Sequence, residues 1–314
     1  MAESTLSIAY ADLVADLERY YGVAAGDLST VIDRRLRDGL RRFYMAHDWK
    51  FLRPRATLNT VAPYTTGTIV VVAGVVTLTG GTFPSWAASA VLINNNISYK
   101  VSTRDGNTQV TLEDVSVAID AGSSYELVQV YYDLPDSFSG ELLGPLTYHP
   151  GLNESYIPVD VVDERQLRVS RQFADSTCAP WRAAILPKTF DPTVGERWQI
   201  TFFPLPDDIY QFTYRYRVHP DKLTSTNKYS WGGMIHGETI RLAVLATAEL
   251  DRMDGMAGAY TQQYEMALQR SILRDNANSP ESMGLITDPG EGLFSDDAAW
   301  SRIDRGSPYP PYTD

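Results

Sequence analysis

Between Arg55 and Lys100 the chain runs without one charged side chain. Valine, threonine, isoleucine and glycine dominate the stretch, and β-branched residues fit a pleated sheet better than a helix. Its most apolar run, Ile69 to Val76, closes with Thr77 and Thr79. It falls far short of the ~20 residues of a membrane-spanning helix, so it reads as strand. Breaks at Pro63, Gly74, Gly80–Gly81, Pro84 and Asn94–Asn96 divide the block. Strands are expected near 56–62, 67–73, 75–79, 90–94, 97–103, 108–112 and 125–132. Asp105-Gly106-Asn107 supplies a hairpin turn, because these residue types tolerate positive φ. Short strands with frequent turns predict a small antiparallel barrel or sandwich. Its uncharged edges are open to pairing with other strands, a hazard that burial in an assembly removes.

Helices are expected on both sides of this block. Leu6, Tyr10, Leu13, Val14, Leu17 and Tyr21 recur at three- and four-residue steps and share one face. Gly22 and Gly26 bracket a break, after which Asp27 or Ser29 caps a second helix. There Ile32, Leu36, Leu40, Phe43 and Tyr44 form the buried stripe, while Arg34, Arg35, Arg37, Arg41 and Arg42 fill much of the remaining circumference. From Asp33 to Arg55 eight basic and three acidic residues leave a net +5. That run is either a solvated face or a surface paired with acid on a neighbouring subunit. DNA contact is a third reading, weakened by the overall charge and the lack of interleaved aromatics. Towards the other end, His236 to Leu250 and Ala259 to Arg274 predict an antiparallel helix pair that packs on the first.

From Asp133 to Ser230 the patterns mix, with 156–162 and 165–173 expected as extended. Trp198, Ile200 and Phe202 alternate with polar residues, as do Phe212, Tyr214 and Tyr216. With Pro204-Leu205-Pro206-Asp207-Asp208 between them, they predict a hairpin with one aromatic face. Residues 276–314 hold five prolines, seven acids and two arginines, a net −5, with Leu285, Ile286, Leu293, Phe294, Trp300, Tyr309 and Tyr312 among them. An extended arm that docks through aromatic anchors is expected. The expected class is therefore α+β. An antiparallel helical bundle comes from the N- and C-terminal helix pairs (1–54 and 236–275). Inserted into it are an antiparallel β barrel or sandwich (55–132) and a mixed region with a β hairpin (133–235), and an extended C-terminal arm (276–314) follows.

The 314 residues carry 27 basic and 39 acidic groups, a net charge of −12. That opposes wrapping a nucleic acid, which needs a dense basic surface, and leaves open a conduit through which DNA slides. One cysteine, Cys178, excludes an intramolecular disulfide and a Cys-rich zinc site, and reads as a half-buried core residue. His236-Gly237-Glu238 has the His-x-Glu of zinc deaminases, but no Cys pair follows. Asp251-x-x-Asp254-Gly255 lacks the remaining oxygen ligands of a calcium loop. The pairs Asp133/Asp136, Asp163/Glu164 and Asp207/Asp208 sit beside turn formers, with nothing to bring two carboxylates across a sugar cleft. A nucleophile elbow, a phosphate loop with lysine and a dinucleotide fingerprint are missing. The reading is a soluble non-enzyme without cofactor, metal, signal peptide or membrane segment.

Three landmarks resemble the head-to-tail connector proteins of tailed bacteriophages, also called adaptor or head-completion proteins. One is the Arg-rich helix running into His47-Asp48-Trp49-Lys50-Phe51-Leu52. Another is Trp198 to Asp207 followed by Tyr210 to Tyr216 and His219-Pro220. The last is the helix pair opening His236-Gly237-Glu238-Thr239-Ile240-Arg241 and closing with Tyr264 to Asp275. The resemblance implies a structural virion protein at the head–tail interface, assembled in the host cytoplasm. Such proteins form a ring, usually of twelve copies, beneath the portal protein. The ring extends the channel for double-stranded DNA without sequence-specific binding, and meets the tail or a second connector protein. Leu285, Ile286, Leu293, Phe294, Trp300, Tyr309 and Tyr312 would then anchor a portal-docking arm. Arg34, Arg35, Arg37, Arg41 and Arg42 would make electrostatic contacts with neighbouring copies. The large β content departs from the family's shortest members. The rival expectations are another phage tail or baseplate protein, or a carbohydrate-binding host-attachment module with aromatics such as Trp86 exposed.

Overall fold

The computed structural model describes residues 3–149, 156–173, 177–253 and 255–277, and its class is α+β. Two helices, α1 (Tyr10–Tyr21) and α2 (Ser29–Met45), lead into nine short strands. These are β1 (Arg55–Asn59), β2 (Thr68–Val72), β3 (Val75–Thr79), β4 (Ala90–Asn94), β5 (Ile97–Arg104), β6 (Gln109–Leu112), β7 (Ile119–Ser123), β8 (Glu126–Gln129) and β9 (Tyr131–Asp133). The longer β10 (Phe138–Tyr148) and the short β11 (Asp160–Val161) precede α3 (Glu164–Phe173). Then come β12 (Arg182–Pro187), β13 (Trp198–Phe203), β14 (Gln211–Val218), α4 (Gly233–Arg252) and α5 (Ala259–Ala277). The chain divides into two units at Leu268, and of the second the described residues are those that complete α5. The expected arm anchors, Leu285 to Tyr312, lie outside the described residues.

The helices follow their apolar periodicity more closely than their expected caps. In α1, Leu13 and Leu17 are buried, and Gly22 ends the helix at φ 69°, a left-handed conformation that glycine adopts without a Cβ penalty. Leu6 was expected on the same face, but it precedes the helix and is 76 % exposed. The start is set instead by Asp12, whose carboxylate accepts the Ala9 N–H at 2.9 Å. In α2, Ile32, Leu36, Leu40 and Phe43 are buried as the stripe requires. Neither Asp27 nor Ser29 caps it. Leu28 takes that position in the left-handed region, and its carbonyl accepts the Ile32 N–H at 2.9 Å. Gly39 of α2 allows close approach to α4: a Cβ there would lie 2.5 Å from the Val244 Cα. α1 joins this contact through Arg241, whose Nε donates to Asp16 at 2.6 Å, and through Arg252, which donates to the Tyr20 carbonyl at 2.8 Å.

Whereas β1 and β9, at the two ends of the expected β domain, join other sheets, residues 68–129 form an antiparallel sheet in the order β7-β2-β3-β6-β5-β4-β8, curled into a half-barrel. Ile69, Val76, Phe83, Leu92, Val110 and Leu127 fill its core. Positive φ falls at Ala73–Gly74 (49° and 76°) and Asn95–Asn96 (51° and 62°), the two-residue loops of β2–β3 and β4–β5. Both match the tight turns whose twist suits antiparallel strands. The Asp105–Asn107 turn does join β5 to β6, but no residue in it has positive φ. The Asp105 carboxylate holds it by accepting the Thr103 and Thr111 hydroxyls at 2.9 and 2.6 Å. Strand β7 was not expected, because Ile119-Asp-Ala-Gly-Ser has no apolar alternation; it is an edge with little buried.

Two further sheets, β1-β14-β10 and β11-β12-β13-β9, pack face to face around one core. The expected hairpin of 198–218 is absent. β13 pairs with β12 and β9, while β14 pairs with β1 and β10. Pro204 and Pro206 donate no backbone hydrogen bond, so the corner cannot continue a ladder and instead carries the chain from one sheet to the other. The aromatic faces then meet across the core, Phe202 stacking on Phe212 with centroids 5.0 Å apart. Residues 165–173, expected as extended, form α3. Its start is fixed by Asp163, which accepts the Arg165 N–H at 2.7 Å. Leu167 packs with Ala184 and Phe203, and Arg171 donates to Thr201 at 2.6 Å and to the Phe202 carbonyl at 2.7 Å, so β13 is covered on both sides. The alternation of Leu167 with Val169 mimics a strand, yet Val169 faces solvent. Of 156–162, expected as extended, Val159 bridges Leu146 and Asp160–Val161 pairs with β12.

Candidate interaction surface

The five arginines of α2 divide by environment. Arg35, largely covered, bonds to Asp251 at the end of α4 and lies 3.7 Å from Asp38. The Arg42 guanidinium sits 4.8 Å over the ring of buried Tyr264, a cation–π contact. These two hold helices together. Arg34 reaches Asp38 at the long distance of 4.0 Å. Arg37 and Arg41 are exposed and make no ion pair among the described residues. Helical spacing aligns Arg34, Arg37 and Arg41 along one side of α2.

That side faces the segment that follows β14. Two adjoining clefts of about 480 and 400 Å³ run between them and share Arg37 and Lys222. Arg34 and Asp33 line the first; Arg41, Met45 and Asp221 line the second. Four cations thus face two carboxylates. Asp33 also accepts the Tyr10 hydroxyl at 2.9 Å, and burial together with this carboxylate raises the Tyr10 phenol above its ordinary range. A tight turn braces the opposite wall: the Thr224 hydroxyl accepts the Asn227 N–H at 2.9 Å, and the Asn227 side-chain amide donates to the Lys222 carbonyl at 3.0 Å. At one end the second cleft turns apolar, lined by Leu40, Tyr44, Met45 and Pro220, with Met45 73 % exposed and the Tyr44 hydroxyl donating to the Trp231 carbonyl at 3.4 Å. Lys222 and Pro220 carry no periodic signal, so their place beside α2 is legible in the fold alone.

The other candidates are structural. His236 is buried against the rings of Trp49 and Phe51, each centroid 5.1 Å away. Trp49 is wholly buried, stacks on Phe43 at 4.6 Å, and donates its indole N–H to the Phe43 carbonyl at 3.0 Å, closing the end of α2. The carboxylate pairs are each occupied separately. Asp133 binds Lys188, Asp136 binds Arg197, Glu164 faces Arg168, and Asp207 accepts the Tyr210 hydroxyl. Cys178, expected to be half-buried, is exposed. Trp86 is half-buried against the half-barrel core rather than displayed on its surface.

Glu249 is buried and unanticipated. Its carboxylate accepts the N–H groups of Gly258, Tyr260 and Thr261 and the Thr261 hydroxyl, at 2.8 to 3.2 Å. Burial alone would raise its pKa, but these four donors outweigh it and hold the group below the usual glutamate range. The carboxylate serves as the cap for the start of α5.

Among the described residues no three His, Cys, Asp or Glu side chains are grouped to hold a metal ion, and no helix is long and apolar enough to cross a membrane. No protein-family model matches the sequence, and no curated protein matches it.

Proposed function

We propose that the chain is a structural virion protein, a head-to-tail adaptor that forms a ring beneath a phage portal. The observation that carries this reading is the helical body: α1 and α2 come from one end of the sequence and α4 from the other, and the side of α2 that bears Arg34, Arg37 and Arg41 is left at the surface. A helical body offers rigid flanks for subunit contact, and the β structure is inserted between its helices along the chain. The ring would extend the DNA channel and give the tail, or a second connector, its attachment surface. The net charge of −12 suits a wall that lets phosphates slide without gripping them. Residues 276–314, acidic and aromatic, would reach the portal. Assembly in the host cytoplasm and final residence at the head–tail interface follow from the same reading.

Solution mass by light scattering, alone and mixed with a purified portal ring, tests it. A closed ring, or a complex of ring stoichiometry on the portal, is the expected result. A chain that stays indifferent to portals would sink the adaptor reading in favour of another tail, baseplate or host-attachment protein.

A further inference from the structure

We infer that the basic groove between α2 and residues 219–225 binds the acidic stretch 281–297 of a second copy of this chain. The inference rests on the ring proposed above and narrows its subunit contact to named groups. Arg35 and Arg42 are consumed inside the subunit, so the surface charge that remains is Arg34, Arg37, Arg41 and Lys222. Asp33, Asp221 and the Asp38 that Arg34 reaches offset part of it, leaving a local excess of one positive charge, with Arg37 and Arg41 unpaired among the described residues, in a chain of net −12. Leu40, Met45 and Pro220 give the same groove an apolar end.

The matching segment is present in the sequence. Residues 281–297 carry Glu281, Asp288, Glu291, Asp296 and Asp297, no basic residue, and the apolar side chains Leu285, Ile286, Leu293 and Phe294. Residues 298–314 balance Asp304 and Asp314 against Arg302 and Arg305 and keep Trp300, Tyr309 and Tyr312. The acids are thus concentrated in the proximal stretch, where a cationic neighbour is needed, and the neutral aromatic remainder is left for the portal. The groove takes the acidic side chains on Arg37, Arg41 and Lys222, while Phe294 or Leu293 covers the apolar end. A groove on one copy filled by a segment of the next is a heterologous contact, the kind that closes into a ring when the rotation per subunit allows.

Charge exchange in the full-length chain tests this. Arg37→Glu with Arg41→Glu should weaken self-association about tenfold or more, because like charges then face each other. Asp288→Lys, Glu291→Lys, Asp296→Lys and Asp297→Lys together should do the same, and combining both sets should restore association to within about threefold of the parent. Unaltered association in either reversed protein, or no recovery in the combination, overturns the inference. A photo-crosslinker at position 41 guards against misfolding. In a mixture of isotopically labelled and unlabelled chains it should join peptides of 281–297 across copies. Crosslinks only within a copy, or to other peptides, overturn it as well. The two readings fail separately: crosslinks between copies without portal binding would keep this contact and remove the adaptor, whereas portal-bound rings without the crosslink would do the reverse.

Discussion

Glu249 and Trp49 share a physical logic: each is a buried polar group that satisfies backbone atoms a helix end leaves open. For Glu249 the consequence is a pH dependence. A lowered native pKa means that the carboxylate's stabilisation is complete above the ordinary glutamate value of 4.5 and is withdrawn as pH falls through the native value. Glu249→Gln should therefore lower stability by roughly 1–3 kcal/mol at neutral pH, the range for disturbing a buried hydrogen-bonded group. The gap between the two proteins should narrow as the pH falls below 4.5. Urea titrations of both proteins across that range would show it, and a gap that widens with acid would mean the group is protonated in the native state. Gly258 belongs to the same device, since a Cβ there would sit 2.3 Å from a Glu249 oxygen.

At the scale of elements, the contact of α2 with α4 depends on a missing side chain. The Gly39 Cα faces the Val244 backbone, and a Cβ would come within 2.5 Å of one backbone atom and 2.9 Å of another. Backbone cannot yield as the end of a flexible side chain can. Alanine is favoured over glycine in a helix by about 1 kcal/mol, yet the overlap should win. Gly39→Ala is expected to destabilise the protein by roughly 1–3 kcal/mol, and Gly39→Val by more. A shift of the denaturation midpoint to higher urea in Gly39→Ala would show that the helices separate at little cost. α3 illustrates the opposite balance, where a cap decides the element. The aspartate cap at 163 and the pocket formed by Ala184 and Phe203 win over a weak alternation that reads as strand.

For the whole molecule, the half-barrel and the two-sheet sandwich each have a core built from described residues, and α1, α2 and α4 bury apolar side chains as well. Deleting 278–314 should therefore leave the circular dichroism spectrum and the unfolding transition of the body nearly unchanged. On the adaptor reading proposed above, the same deletion should abolish attachment to the portal and weaken contact between copies. A truncated protein that still joins filled heads would locate the docking function elsewhere. Removing the segment also changes the net charge from −12 to −7, so any gain in self-association must be compared at high salt, where that difference is screened.

The elements whose identity is local could be read from sequence alone. Ile32, Leu36, Leu40 and Phe43 mark α2 by period, the β-branched runs mark β2 and β3, and Gly22 marks an end, because each signal is carried within a few residues. The α+β class follows from those signals. What lay beyond them depends on partners distant in the chain. The aromatic strands around Pro204 and Pro206 join different sheets because β13 pairs with β12 before it and with β9, while β14 is taken by β1 and β10 from much earlier in the chain. The arginines looked equivalent along α2. Tertiary contacts with Asp251 and Tyr264 withdrew two of them from the surface, while Lys222, brought alongside by the turn after β14, completed the groove with the others. Composition determined how much charge this protein carries; the fold alone decided which charges are left to meet a partner.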